Sequence, residues 1–398
     1  MKKRNFIIGL ISLFLSFTLS STWAEVRGIY LNSTTAVLSD KVDDLIKNSK
    51  EAGINTFVID YELYSKAYAA NIKKIKDSGI KYVARVVIFP GGATPAQVHD
   101  QAYIQKKLNL VQQAIDMGAD EIQIDYIRYK PTQKPSAQNA KDIVKVIQQF
   151  KDYVASRGLP LQIDVFGISS FKPSVYIGQN DQLIAPEVSQ INPMVYPSHY
   201  VPYAAHAKQP YRTVYISLTS LKKQIADYPH VKIVAFIELY NFRIPMSDAV
   251  RTQYILAQLQ AVKDSGSDGF YFWSAGNKYG FLFPILKQQQ QGKLQAYNAL
   301  SAENFDKARW DKNHYYDHAA DKLVAKNSTS SSNAANDSNG EVKATINSGV
   351  ESIKPANSSQ SNVGSQNSNN STDLSVSSSA NSKVINNNDV VNKDVISN

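Results

Sequence analysis

The chain of 398 residues contains no cysteine. That excludes disulfides, thiolate zinc sites, iron–sulfur clusters and cysteine nucleophiles. Glycine-rich phosphate loops are missing as well: neither G-x-G-x-x-G nor a Walker A sequence occurs, and Gly91-Gly92 is a turn signal only. Histidine is scarce. Of six, only His199 ends an apolar run, which leaves a zinc hydrolase short of ligands. His314 and His318 are four apart, but Asp311, Asp317 and Asp321 around them read as a polar, exposed helix. No metal or other cofactor is expected. The formal charge of +9 is spread among 43 Lys/Arg and 34 Asp/Glu without basic runs, so nucleic acid is not an expected partner.

What is present falls into three blocks. Lys2, Lys3 and Arg4 precede an apolar run from Phe6 to Leu19, and Thr22-Trp23-Ala24 offers a small residue for cleavage. Residues 1–24 therefore read as a secretory signal peptide, and the expected location is periplasmic or secreted. No later apolar run reaches 18 residues, so no membrane span is expected after it. From 327 to 398 the composition turns polar: 35 of 72 residues are Ser or Asn and none is aromatic, too little apolar surface to offset chain entropy. That tail reads as disordered. Only the middle block can build a core.

In the middle block one phrase recurs: an amphipathic stretch, a Gly, then a short β-branched or aromatic run. Gly53, Gly79, Gly118, Gly158 and Gly266 each precede such a run, as a left-handed cap closing a helix would. The runs are nearly continuously apolar, the pattern of parallel strands covered on both faces. With the segments 26–31, 190–197 and 231–240 there are eight, which predicts a (β/α)8 TIM barrel over 25–293 rather than an open doubly wound sheet. Tyr211 to Leu218 is β-rich but reads as the start of a helix, and 294–326 as a helical C-terminal cap.

In such a barrel the active site lies at the C-terminal ends of the strands. Those ends carry Asp60, Arg85, Asp125-Tyr126, Arg128, Asp164, Tyr196, His199-Tyr200, Glu238, Trp273, Asn277 and Tyr279. Carboxyl groups, arginines and aromatics in one ring suit glycosidic-bond cleavage, which needs two carboxyls flanking the bond, donors for sugar hydroxyls and rings on which sugars stack. A carbohydrate polymer is the expected partner, with no sign of the oligomeric state.

Taken together, IQIDYIRY, DVFG and INPMVYPSHY resemble the bacterial family known as the putative glycosyl hydrolase domain, over roughly Val26 to Tyr279. The motifs agree in order and spacing: Asp60 on the second strand, ARVVIF with Arg85, EIQIDYIRY with Asp125 and Arg128, DVFG with Asp164, PMVYPSHY, and Trp-x-x-x-Asn-x-Tyr ending at Tyr279. The resemblance implies a glycosidase-like barrel with Asp125 in the place of the strand-four nucleophile. Asp164, on the adjacent strand, is the candidate acid/base for a retaining reaction. Glu238 is its rival, since strands four and seven are the other common pairing; family members tend to carry Gln where this chain has Glu238. The substrate-binding candidates are Asp60, Arg85, Tyr126, Arg128, Tyr196, His199, Tyr200, Trp273, Asn277 and Tyr279. A non-catalytic carbohydrate-binding barrel is the alternative from another class, because a fold does not set a function. Metal-dependent hydrolysis is the third.

Overall fold

The structure is a computed structural model, and it describes residues 25–132, 134–240 and 242–313. The signal-peptide reading, the polar tail, His314 and His318 lie outside these residues. Eight strands, β1 (Val26–Leu31), β2 (Thr56–Asp60), β3 (Lys81–Val87), β4 (Glu121–Asp125), β5 (Leu161–Phe166), β6 (Gln190–Met194), β7 (Lys232–Glu238) and β8 (Gly269–Trp273), close into a barrel in sequence order. Every neighbouring pair is parallel, including β8 with β1. This is the TIM barrel the eight apolar runs predict.

The principal helices between strands are α1 (Ser39–Glu51), α2 (Lys66–Asp77), α3 (Gln101–Asp116), α4 (Ala137–Ala155), α5 (Asp181–Ile184), α6 (Pro210–Gln224) and α7 (Asp248–Ser265); α8 (Leu282–Gln290) follows β8. The β-rich stretch from Tyr211 is helical, inside α6. All five glycines read as helix stops take positive φ, from 65° to 85°. Beyond α8 come two short helices, Ala299–Glu303 and Lys307–Asn313. Glu303 reaches back to accept from the backbone N–H of Tyr211 and Arg212 at 2.8 and 2.9 Å, capping α6, which has no side-chain cap of its own.

Because strand side chains alternate, each strand serves two cores. Outward residues such as Ile29, Ile59, Ile124, Ile163 and Phe272 pack under the helices in one large cluster. Each such side chain contributes about 1.5–3 kcal/mol by leaving water. Inward residues form a smaller cluster of Tyr30, Val58, Val83, Phe236, Tyr271 and Trp273. Gly28 belongs to this inner face, where a Cβ would stand 2.4 Å from Tyr271 Cδ1. The near-continuous apolar reading of the strands needs correction here: the inward residues Gln123, Gln162, Gln190 and Asn192 are polar and buried. Their amides bond mainly to one another, as buried amides must.

Candidate active site

At the C-terminal mouth, register sets the neighbours. Asp60 lies beside Arg85 across β2 and β3, and Asp164 beside Asn192 across β5 and β6. The Arg85 guanidinium is the hub: Nη1 donates to Asp60 Oδ1, Nη2 to Asp125 Oδ2, and Nε to Asp164 Oδ2 at 3.3 Å. Tyr30 of β1 donates its hydroxyl to Asp60 Oδ2 at 2.5 Å. Its ring stacks on Trp273 with centroids 4.0 Å apart, and Arg85 lies 5.5 and 5.4 Å from the two ring centres. Four sequence candidates, Asp60, Arg85, Asp125 and Asp164, thus share one cluster with Trp273 beside it.

Three carboxyl groups around one guanidinium cannot all ionise cheaply in a buried site. Burial first, and the Asp125 charge second, push the Asp164 carboxyl well above the usual carboxylate range, against the pull of Arg85 and Asn192. Burial also raises Asp60, with Arg85 opposing. Although burial works against its charge, Arg85 is held more firmly protonated than usual by Asp60 and Asp125. Of the two raised carboxyls, Asp164 is pushed further above the usual range than Asp60.

Tyr126 follows Asp125 in left-handed backbone, φ 54°, and its N–H donates to Asp125 Oδ1 at 2.5 Å. A non-glycine residue there costs on the order of 1–2 kcal/mol, offset here by a bond that fixes the carboxylate. Burial and Asp125 push the Tyr126 phenol up to about 12. Tyr196, buried, also feels Asp164, Asp125 and Arg85, and its phenol is raised, chiefly by burial.

Other candidates stand elsewhere. Glu238, wholly buried, accepts from Ser198 N at 3.0 Å, Ser198 Oγ at 2.7 Å and the Tyr254 hydroxyl, fastening the loop after β6 to β7 and α7; burial pushes it up to about 7. Arg128 is equally buried, donating to the Tyr129 carbonyl and lying over the Tyr126 and Phe166 rings, where it packs the ends of β4 and β5. Asn277 Nδ2 and the Tyr279 hydroxyl donate to the Tyr30 carbonyl at 2.9 and 2.5 Å, tying β8 to β1. Tyr200 packs against Phe171 and accepts from Ser217 Oγ. His199 meets Tyr196 edge-on, and burial and Arg243 lower it to about 4.

Sequence reasoning missed Tyr30 and Asn192, and also Tyr240, whose phenol influences both Tyr126 and Tyr196. Strand parity is the signal that finds the first two: Tyr30 is two residues past inward Gly28, and Asn192 two past inward Gln190. The space a cation would take among the three aspartates is filled by the Arg85 guanidinium. Among the described residues no group of three or more His, Asp or Glu is arranged to hold a metal ion, and no helix is long and apolar enough to cross a membrane.

The profile of the family described as "putative glycosyl hydrolase domain" matches residues 96–279, which carry Asp125, Asp164, Glu238 and Trp273. Asp60 and Arg85 precede the matched span. No curated protein matches the chain. Among solved structures, a class V chitinase from Pseudomonas fluorescens Pf-5 is 13% identical with a TM-score of 0.51, covering 68% of this chain and 100% of its own. An endo-β-1,4-mannanase from Thermotoga petrophila is also 13% identical, TM-score 0.49, over 71% of this chain and 78% of that one. The spore cortex-lytic enzyme SleL of Bacillus megaterium QM B1551 is 12% identical, TM-score 0.49, over 66% and 73%. At such identities the likeness to the chitinase is one of fold.

Proposed function

Starting from a barrel whose residues 96–279 match the family described as "putative glycosyl hydrolase domain", we propose that the protein hydrolyses O-glycosidic bonds of an envelope or extracellular polysaccharide, by a retaining reaction of Asp125 and Asp164. The observation that carries this is one guanidinium bonded to Asp125 and Asp164 on adjacent strands, with the Asp164 carboxyl raised by burial and by its neighbour Asp125. Carboxyls that share one guanidinium lie close, as the retaining reaction needs, and a carboxyl raised by burial is suited to the acid's part.

Asp164 protonates the leaving oxygen while Asp125 attacks the anomeric carbon, giving a glycosyl-enzyme; Asp164, now ionised, then takes a proton from water, which displaces Asp125. Arg85 holds Asp125 in place through Nη2. Asp60 orders hydroxyls, and the Trp273 indole N–H, without a partner among the described residues, supplies a donor. The apolar N-terminal run supports export to the periplasm or beyond.

The test is release of reducing ends from a panel of envelope glycans by the full chain, beside Asp125→Asn, Asp164→Asn and Glu238→Gln. Turnover lost in the two aspartate variants and kept in Glu238→Gln supports the pair. Glycan bound equally by all, with no product from any, would assign the barrel to binding instead.

A further inference from the structure

A chain of amides descends inside the barrel from Asp164 to its opposite end. Asp164 Oδ1 accepts from Asn192 Nδ2 at 3.1 Å, and the same nitrogen donates to Gln162 Oε1 at 3.2 Å. Asn192 Oδ1 accepts from Gln190 Nε2 at 2.7 Å. Gln162 Oε1 also gathers Gln123 Nε2 at 3.0 Å and the Tyr271 hydroxyl at 3.3 Å. Gln162 Nε2 donates to Glu121, the first residue of β4, whose carboxylate pairs with Lys81 of β3 at 2.5 Å.

The direction of each amide follows from the end that cannot turn. A carboxylate only accepts, whereas an amide can present either its oxygen or its NH2. Glu121, paired with Lys81, takes the NH2 of Gln162, so Gln162 Oε1 must face the barrel interior. An oxygen there calls for a donor, so Asn192 turns its NH2 toward it, and that NH2 is the one that meets Asp164. If Gln162 were reversed, two NH2 groups would confront each other. Asn192 would turn over together with Gln190, whose NH2 now meets the Asn192 oxygen, and the Asn192 carbonyl oxygen would face Asp164.

We propose that Glu121 is a positioning residue: from the far end of the barrel, through Gln162, it sets which end of the Asn192 amide is presented to Asp164. Its kinetic meaning rests on the reading of Asp164 as the acid/base, but the relay can be observed without turnover. The other groups facing Asp164 are Arg85 from β3, Asp125 from β4, Tyr196 from the loop after β6 and Tyr271 from β8; of these Tyr271 also bonds Gln162, and its hydroxyl can donate or accept.

The experiment is the 13C carboxyl titration of Asp164 in the full chain, wild type beside Glu121→Gln and Glu121→Leu. Both variants lose the same charge, but only the glutamine keeps an oxygen for Gln162 Nε2. With Glu121→Gln, Asp164 is expected to titrate at or slightly below the wild-type position, since a distant negative charge is gone. With Glu121→Leu it is expected to shift upward, because a turned Asn192 favours the protonated acid. Coincident curves for the two variants would overturn the relay. Should Glu121→Leu fail to fold, Gln162→Met removes the oxygen facing Asn192 and is expected to raise Asp164 likewise; no shift there overturns the relay equally. An upward shift without glycan turnover in any protein would uphold the relay and sink the hydrolase reading.

Discussion

The inside of this barrel has two halves. From β2 to β6 its lining is mainly polar, with Asp60, Arg85, Gln123, Asp125, Gln162, Asp164, Gln190 and Asn192 beside Val58 and Val83; from β7 through β8 to β1 it is mainly aromatic, with Phe236, Tyr271, Trp273 and Tyr30. The polar half is held by directed bonds, in which removing one partner strands another. The aromatic half is held by ring contacts at 4.0 to 6.1 Å, which tolerate adjustment. Chemistry that needs a proton on one carboxyl and not on its neighbour requires the first kind of wall, and a sugar ring requires the second. Arg85 is the seam between them, bonded to three acids and lying beside Tyr30 and Trp273.

The strongest way to break the contrast is within the polar half. Asp125→Asn should lower kcat by roughly a thousandfold or more while leaving the fold intact; reducing-end release together with thermal melting checks both. Arg85→Met strands three buried acids and should cost about 3–5 kcal/mol at neutral pH. Denaturant titration reads the loss, and stability should return as pH falls and the acids take up protons.

A smaller effect concerns pH alone. Burial raises Glu238 from 4.5 to about 7, and Asp181, with one Ser169 bond, from 3.8 to about 7. Both bind protons more tightly folded than unfolded, so their contribution is full below about 4 and is lost as pH rises through about 7. Stability measured across this window should therefore decline toward neutrality, and Glu238→Gln should flatten part of the slope. The smallest effect belongs to the aromatic half. Trp273→Phe keeps the ring and removes the N–H, so KM should rise by up to about tenfold, with little change in melting temperature.

The fold was legible because two local signals coincide: a left-handed glycine ends a helix, and a short apolar run follows, repeated to the number that closes a ring. Asp60 and Asp125 were legible because each ends an apolar run, and Arg85 and Asp164 because each is a charge set inside one. What one strand end cannot announce is what the rest of the chain brings over it. Glu238 ends its strand as Asp125 does, yet Ser198, forty residues earlier, and Tyr254, from the next helix, engage its oxygens. Arg128, Asn277 and Tyr279 sit in the recognised motifs and bond to backbone carbonyls. The inner amides stayed hidden because isoleucines on either side, such as Ile122 and Ile124 around Gln123, make the run read as apolar when only alternate residues face the same way.

The bonds from Asn277 and Tyr279 to the Tyr30 carbonyl join residues 247 and 249 positions apart, and β1 has no second neighbour until β8 arrives. During synthesis at about 5–20 residues per second, β1 must therefore wait on the order of tens of seconds with one edge unpaired. An unpaired parallel edge is a template for other chains. The late arrival of the strand carrying Trp273 makes the interval between its first and last strands the period in which the nascent protein is most exposed to aggregation.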